Sequence, residues 1–324
     1  MRKLKNNIIC IISLILLISG LMTISKQEDM PEDKNKSSGY SVIRGNMEKI
    51  DNQKNILKYK VNREYSFLDN VDYLEEEQYP QGLCITDEYI FITSYSDIRG
   101  NLGKIKIFDR QSGSFLLTLG MDTRSHLGGI TYDGKNVWIC NSSKMSVEKL
   151  SYSFIKQMIS ENPGKLIDAR NLVEVYRVNN IPSTITFFDG QLWVATHSIW
   201  TNSTVNGYVF DETEKTLKAI GVFQIPQKVQ GITFTEKGEV YLSTSYGRKQ
   251  SSYIKKYESI HTMSKNVGDY IENIELPPCS EGIVYQNNNL YVLFESAGKK
   301  YLEGTDGKGK SPAPLDRILI ISTS

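Results

Sequence analysis

The chain has 324 residues, with 38 Lys and Arg against 37 Asp and Glu, a net charge of +1. Hydrophobic residues at 40%, 24 glycines and 23% charged residues are ordinary for a globular chain, and exclude a disordered, collagen-like or polytopic membrane protein. The even charge balance argues against a nucleic-acid binder, and four cysteines are too few for a disulfide scaffold.

The chain opens with Arg2, Lys3 and Lys5, and residues 8–24 carry no charge. A basic start before an apolar core is an export signal, and about 17 residues is also just enough to span a bilayer. Residues 1–25 are therefore read as a signal peptide or a retained anchor, with the remainder extracytoplasmic, either secreted or held at the membrane. Residues 26–45 are a polar tether rich in Lys, Glu, Asp and Ser, and residues 46–324 form the domain. Asn-, Lys- and Ile-rich usage resembles that of low-GC bacterial proteins. Beyond the export segment lie Cys84, Cys140 and Cys279. An odd number cannot all pair within one chain, and small apolar packing is the simplest role for them.

Five segments, starting at Gln81, Gly128, Ser183, Gln230 and Glu281, repeat one pattern. Each has a small residue before Ile or Leu (Gly82, Gly129, Thr184, Gly231, Gly282), then a polar turn, then an apolar–aromatic pair such as Val137-Trp138 or Leu192-Trp193. Strand, tight turn, strand is the local reading. Third strands are predicted at residues 104–109, 207–211, 253–257 and 317–321, and fourth strands at 115–119, 172–178 and 219–225. One short helix fits within residues 150–170. Four strands in a unit of about 40–50 residues is a blade, so the fold predicted is an all-β propeller of five blades, six being the alternative. Residues 57–74 are predicted to supply the missing outer strand of the last blade and so close the ring.

The blade plan brings the residue before each small residue, and those after each second strand, to one end of the central channel. Candidate ligand-binding residues there are Gln81, Tyr95, His126, Asn141, Ser183, Gln230, Ser245, Tyr246 and Arg248. Candidate catalytic residues are Glu281, Glu295 and His197: two carboxyls of one repeat copy, close enough to split into acid and base, and a histidine. Ion pairs of these glutamates with Arg317, Arg248 or Lys299 are the structural alternative, as are backbone hydrogen bonds for the histidines. Two carboxylates and two histidines are too few for a calcium or zinc cage, so neither metal nor cofactor is expected. Trp138 and Trp193 share a repeat position and read as packing between blades, whereas Trp200 interrupts the repeat and reads as a loop contact. Motifs such as GxSxG, Walker A, HExxH and GxGxxG are absent from the sequence.

Residues 230–257 (QGITFTEKGEVYLSTSYGRKQSSYIKKY) resemble the opening repeat of the plant- and bacterial-type glutamine cyclotransferases, five-bladed propellers that cyclise N-terminal glutamine. Gln230-Gly231, Tyr246-Gly247 and Ser251-Ser252 follow that pattern. Ser243 or Thr244 stands where the family's catalytic Glu would be, and Glu295-Ser296-Ala297-Gly298 carries the E-S-x-G element instead. The resemblance implies that Glu295 moves a proton from the substrate amine to the leaving ammonia, while Gln230, Ser245 and Tyr246 position the amide. Three functions follow for the sequence. It is an exported propeller binding a small molecule, peptide or glycan at its channel, or a cyclotransferase- or lyase-type enzyme using Glu295 or Glu281, or a structural platform on the cell surface. A monomer without nucleic-acid partners, touching the membrane only through its N-terminal segment, is expected.

Overall fold

The computed structural model describes residues 49–324; residues 1–25 and 26–45, read above as export segment and tether, lie outside them. The described chain enters through helix α1 (Asn52–Ile56), capped by the Asp51 carboxylate, and strand β1 (Tyr65–Leu68). Blade 1 is β2 (Tyr79–Ile85), β3 (Tyr89–Tyr95), β4 (Leu102–Asp109) and β5 (Phe115–Asp122). Blade 2 is β6 (Ile130–Tyr132), β7 (Asn136–Asn141), β8 (Ser146–Ser151) and β10 (Glu174–Arg177). Between its last two strands run helix α2 (Tyr152–Glu161) and β9 (Leu166–Asp168), which adds to blade 1 as a parallel fifth strand. Blade 3 is β11 (Thr184–Phe188), β12 (Gln191–Ala195), β13 (Ser203–Asp211) and β14 (Thr216–Ile225). Blade 4 is β15 (Val229–Phe234), β16 (Val240–Thr244), β17 (Ser252–Tyr257) and, after helix α3 (Ile260–Lys265), β18 (Glu272–Leu276). Blade 5 is β19 (Ser280–Gln286), β20 (Asn289–Phe294) and, after helix α4 (Lys299–Glu303), β21 (Ile318–Ser322).

The inner strands β2, β6, β11, β15 and β19 touch in that order, and β19 touches β2, so the ring has five blades rather than six. The predicted closure is present: β1 pairs antiparallel with β21, Phe67 opposite Leu319, as the outer strand of blade 5. Three strands lie where none was predicted: β8, β18 and the parallel β9.

Apolar side chains alternate along the strands, and each pair of neighbouring blades encloses one buried cluster. Trp138 packs between blades 2 and 3, against Tyr176 and Phe210, with its indole N–H on Asp133 at 2.6 Å. Trp193 fills the corresponding gap between blades 3 and 4. Cys84 and Cys140 are free thiols in this packing, and burial pushes the Cys84 thiol up to about 12.

The repeated glycines mark the tightest packing around the axis. A Cβ on Gly129 would lie 2.5 Å from the Ile185 amide nitrogen, and one on Gly282 2.7 Å from that of Leu83. Backbone meets backbone there, so no side chain fits.

Candidate functional site

Three inner strands carry a β-bulge at the same place, between Pro80 and Leu83, Val229 and Gly231, and Ser280 and Ile283. A bulge leaves a residue unpaired and re-aims its side chain. The residues at these bulges include Gln81, Gln230 and Glu281, the three polar residues that precede a repeat glycine. Glu295 follows the second strand of blade 5, its amide bonded to the Cys279 carbonyl at 3.1 Å.

These four side chains meet. The Gln81 amide donates to Glu295 Oε2 at 3.0 Å, and the Gln230 amide to Glu281 Oε1 at 3.3 Å. The two carboxyls are hydrogen-bonded to each other. They expose only 3% and 9% of their surface. Burial, followed by the charge of Glu295, pushes the Glu281 carboxyl well above the ordinary range. Burial raises Glu295 as well, opposed by hydrogen bonds from Tyr301 and Gln81 and by the Lys300 ammonium. The pair as a whole therefore keeps a proton to higher pH than an exposed glutamic acid does, because ionising both members would bury two like charges side by side.

None of the ion pairs weighed from the sequence reaches this pair. Arg317 pairs with Asp69 and Asp316, Arg248 with Asp306, and Lys299 with Glu76. Arg248 instead anchors the segment between β20 and β21. Its guanidinium donates to the carbonyls of Lys300 at 2.8 Å and Gly309 at 2.7 Å and to Asp306 at 2.5 Å, and it lies over the Tyr301 ring.

That segment brings α4 to the site. The Lys300 ammonium stands 3.8 Å from the centroid of the Tyr79 ring, 4.8 Å from that of Tyr95 and 5.3 Å from that of Tyr301. It donates to the Tyr95 hydroxyl and to Asp97, each at 2.7 Å. His126 stacks on Tyr95 with centroids 4.0 Å apart, and its surroundings and the Lys300 charge push its imidazole below the ordinary range. Tyr95, His126 and Lys300 also line a cleft of about 680 Å³, together with Asp97, Arg99 and Arg124; the two carboxyls do not line it. Cys279, buried, is pushed up by burial and by the two carboxyls.

The other predicted residues lie apart from the carboxyl pair's hydrogen bonds. His197 Nδ1 bonds the Val229 carbonyl at 3.0 Å, and its amide donates to Ser183 Oγ. The Asn141 amide donates to Glu148 at 2.6 Å. Ser245 accepts from the Ser252 hydroxyl in a chain that continues through the Ser280 amide and hydroxyl to Ser243. Tyr246 is exposed, beneath the Lys228 ammonium. Trp200 is 83% exposed. The sequence reading missed Tyr79 and Tyr301. The available signal for Tyr301 was length: residues 295–317 separate two strands that in blade 1 are joined by 96–101. Among the described residues, no group of three or more His, Cys, Asp and Glu is placed to hold a metal, and no helix is long and apolar enough to cross a membrane.

No family model matches the chain, and no curated protein matches it significantly. Solved structures that match include a tail fibre of Staphylococcus aureus phage P68 (15% identity, 78% of this chain and 52% of that one, TM-score 0.50). U3-55K is 10% identical over 82% of this chain and 99% of its own, with TM-score 0.42. Hydrazine synthase of Kuenenia stuttgartiensis is 13% identical over 70% of this chain, with TM-score 0.37, and the chain spans 58% of its length. At such identities the likeness shows the fold alone.

Proposed function

We propose that the open end of the channel recognises a small polar molecule, the end of a peptide or a glycan, with the Glu281–Glu295 pair as the group that reads it. One observation carries this: two carboxyls buried side by side, each held by a glutamine amide. Burying acids is costly, and residues that need strongly shifted protonation concentrate where chemistry or recognition happens. The pair offers a donor and acceptors side by side, held by Gln81 and Gln230. The basic, uncharged-core segment at the start of the sequence supports placing this domain outside the cytoplasm. The test is calorimetric titration of the purified chain with short peptides, amides and oligosaccharides. A ligand whose affinity falls about tenfold or more in Glu281→Gln supports the reading, since a lost hydrogen bond to a charged group is worth ~1.5–3 kcal/mol. Ligands that bind both forms equally would overturn it.

Two carboxyls side by side also favour a second reading, acid–base catalysis on N-terminal glutamine. The Glu295 carboxylate would take a proton from the attacking amine, and a carboxylic acid would protonate the departing ammonia. The E-S-x-G element at Glu295 supports this reading. Mass spectrometry of a peptide with N-terminal Gln would show loss of ammonia above the spontaneous rate, absent in Glu295→Gln. No loss with the wild-type chain retires it.

A further inference from the structure

The cleft of about 680 Å³ is separate from the carboxyl pair, and two stretches of chain build it. One belongs to blade 1: the loop after β3 and the turn after β5. The other is the segment between β20 and β21, which supplies Lys300, Asp306 and Lys308.

The charges of the cleft do not cancel. Its walls carry four cations, Arg99, Arg124, Lys300 and Lys308, against two carboxylates, Asp97 and Asp306. Both carboxylates already have partners. Asp97 holds Lys300 at 2.7 Å, and Asp306 holds Arg248 at 2.5 Å. Arg124 lies on Asp122 at 2.8 Å. Among the described residues, the exposed side chains of Arg99 and Lys308 make no ion pair and no hydrogen bond. Two positive charges are thus left over in one concavity, where the protein walls concentrate their field. A protonated His126 would only add to them.

The walls are fixed before anything binds. The Ser96 amide donates to Thr123 Oγ1 at 2.8 Å, and the Thr123 hydroxyl donates to the Ser96 carbonyl at 2.9 Å, which ties the loop to the turn. Ser96 Oγ accepts from the Ile98 amide at 3.2 Å and from the Asn101 side chain at 3.3 Å, so the loop closes around Arg99. The Lys308 amide donates at 3.2 Å to the Asp306 carboxylate that Arg248 holds. Donors placed in advance lose little freedom when a ligand arrives. The Arg99 guanidinium, with all five N–H groups available, can grip a carboxylate or phosphate through two parallel bonds. His126, stacked on Tyr95 at 4.0 Å, offers a ring beside these cations. The volume suits a small molecule rather than a bare ion.

We infer that this cleft binds a small dianion, a phosphate monoester or a dicarboxylate, with Arg99 and Lys308 meeting its charge. The His126 ring then lies against the body of the ligand. This site goes beyond the proposed reading of the Glu281–Glu295 pair and does not draw on it.

Calorimetric titration of the full-length chain at low ionic strength tests it, with glucose 6-phosphate and succinate as probes and glucose as the uncharged control. At least one dianion should bind and glucose should not. Arg99→Ala and Lys308→Ala should each weaken that binding about tenfold, the measure of one lost charge-assisted hydrogen bond. Neither side chain makes a structural bond, so circular dichroism should be unchanged. Lys237→Ala removes the same charge from the turn between β15 and β16 and should bind as the wild type does. The tighter probe identifies the anion. Failure of both dianions to bind, equal binding of glucose, wild-type affinity in either cleft variant, or an equal loss in Lys237→Ala would each overturn the site.

Discussion

Two buried carboxyls in contact keep a proton to higher pH than an exposed glutamic acid does, and that proton links stability to pH. Both folded-state values are raised above the ordinary Glu value of about 4.3. The folded chain then binds more protons than the unfolded chain at pH values above that range, so stability falls as pH rises. The contribution is full below the unfolded value and is lost as pH climbs through the folded ones. We expect a slope of up to about 1.4 kcal/mol per pH unit per proton in that window. Glu281→Gln, which keeps the shape and removes the titration, should flatten it. Urea melts from about pH 4 upward measure this, and an equal slope in both proteins would contradict it. The pair itself was legible in the sequence, because the repeat aligned Glu281 with Gln81 and Gln230 and placed Glu295 after the adjoining strand. Tyr301 was not legible, because it sits in a segment with no counterpart in the other copies. Ser245 and Tyr246 stand out by local motif; the structure ties one into a serine chain and leaves the other facing solvent.

Elements show why some strands were read and others missed. β3, β7, β12 and β20 are apolar and aromatic and buried on both faces, so a near-continuous apolar run marks them plainly. β8 reads SVEKLS, and its Glu148 and Lys149 are buried only because Asn141 and Glu174 satisfy them. That compensation comes from other strands and leaves no trace in the local pattern. The inner-strand glycines answer to a similar constraint. Gly282→Ala would press a methyl to 2.7 Å from one backbone atom of blade 1 and 2.9 Å from another. We expect a loss of about 1–3 kcal/mol or more, read as a lower denaturation midpoint; wild-type stability would contradict the close approach. The segment between β20 and β21 depends on Arg248 in the same way. Arg248→Met removes its bonds to Asp306 and two carbonyls at once. Amide exchange across residues 299–310 should accelerate, while that of β16 stays slow. Unchanged exchange in both regions would show that the segment holds itself.

The molecule as a whole is held by one sheet that joins its two ends. β1 and β21 form the outer half of blade 5, so β1 covers an edge that would otherwise be open. Removing residues up to 70 should lower the melting temperature and promote aggregation through the bared β21, visible by light scattering. A shortened chain that melts and remains dispersed as the intact one does would show that the ring closes without it. Blade number followed from counting repeats, and closure from counting strands, because both depend on sequence order alone. Position within a blade interface did not, since each cluster draws on two blades. The shared sheet also bears on how the protein is made. About 250 residues separate the partners Tyr65 and Ile321, and a ribosome adding ~5–20 residues each second needs roughly 10–50 s to deliver the second after the first. Throughout that interval β1 has no mate, and blade 5 stays unfinished until β21 emerges.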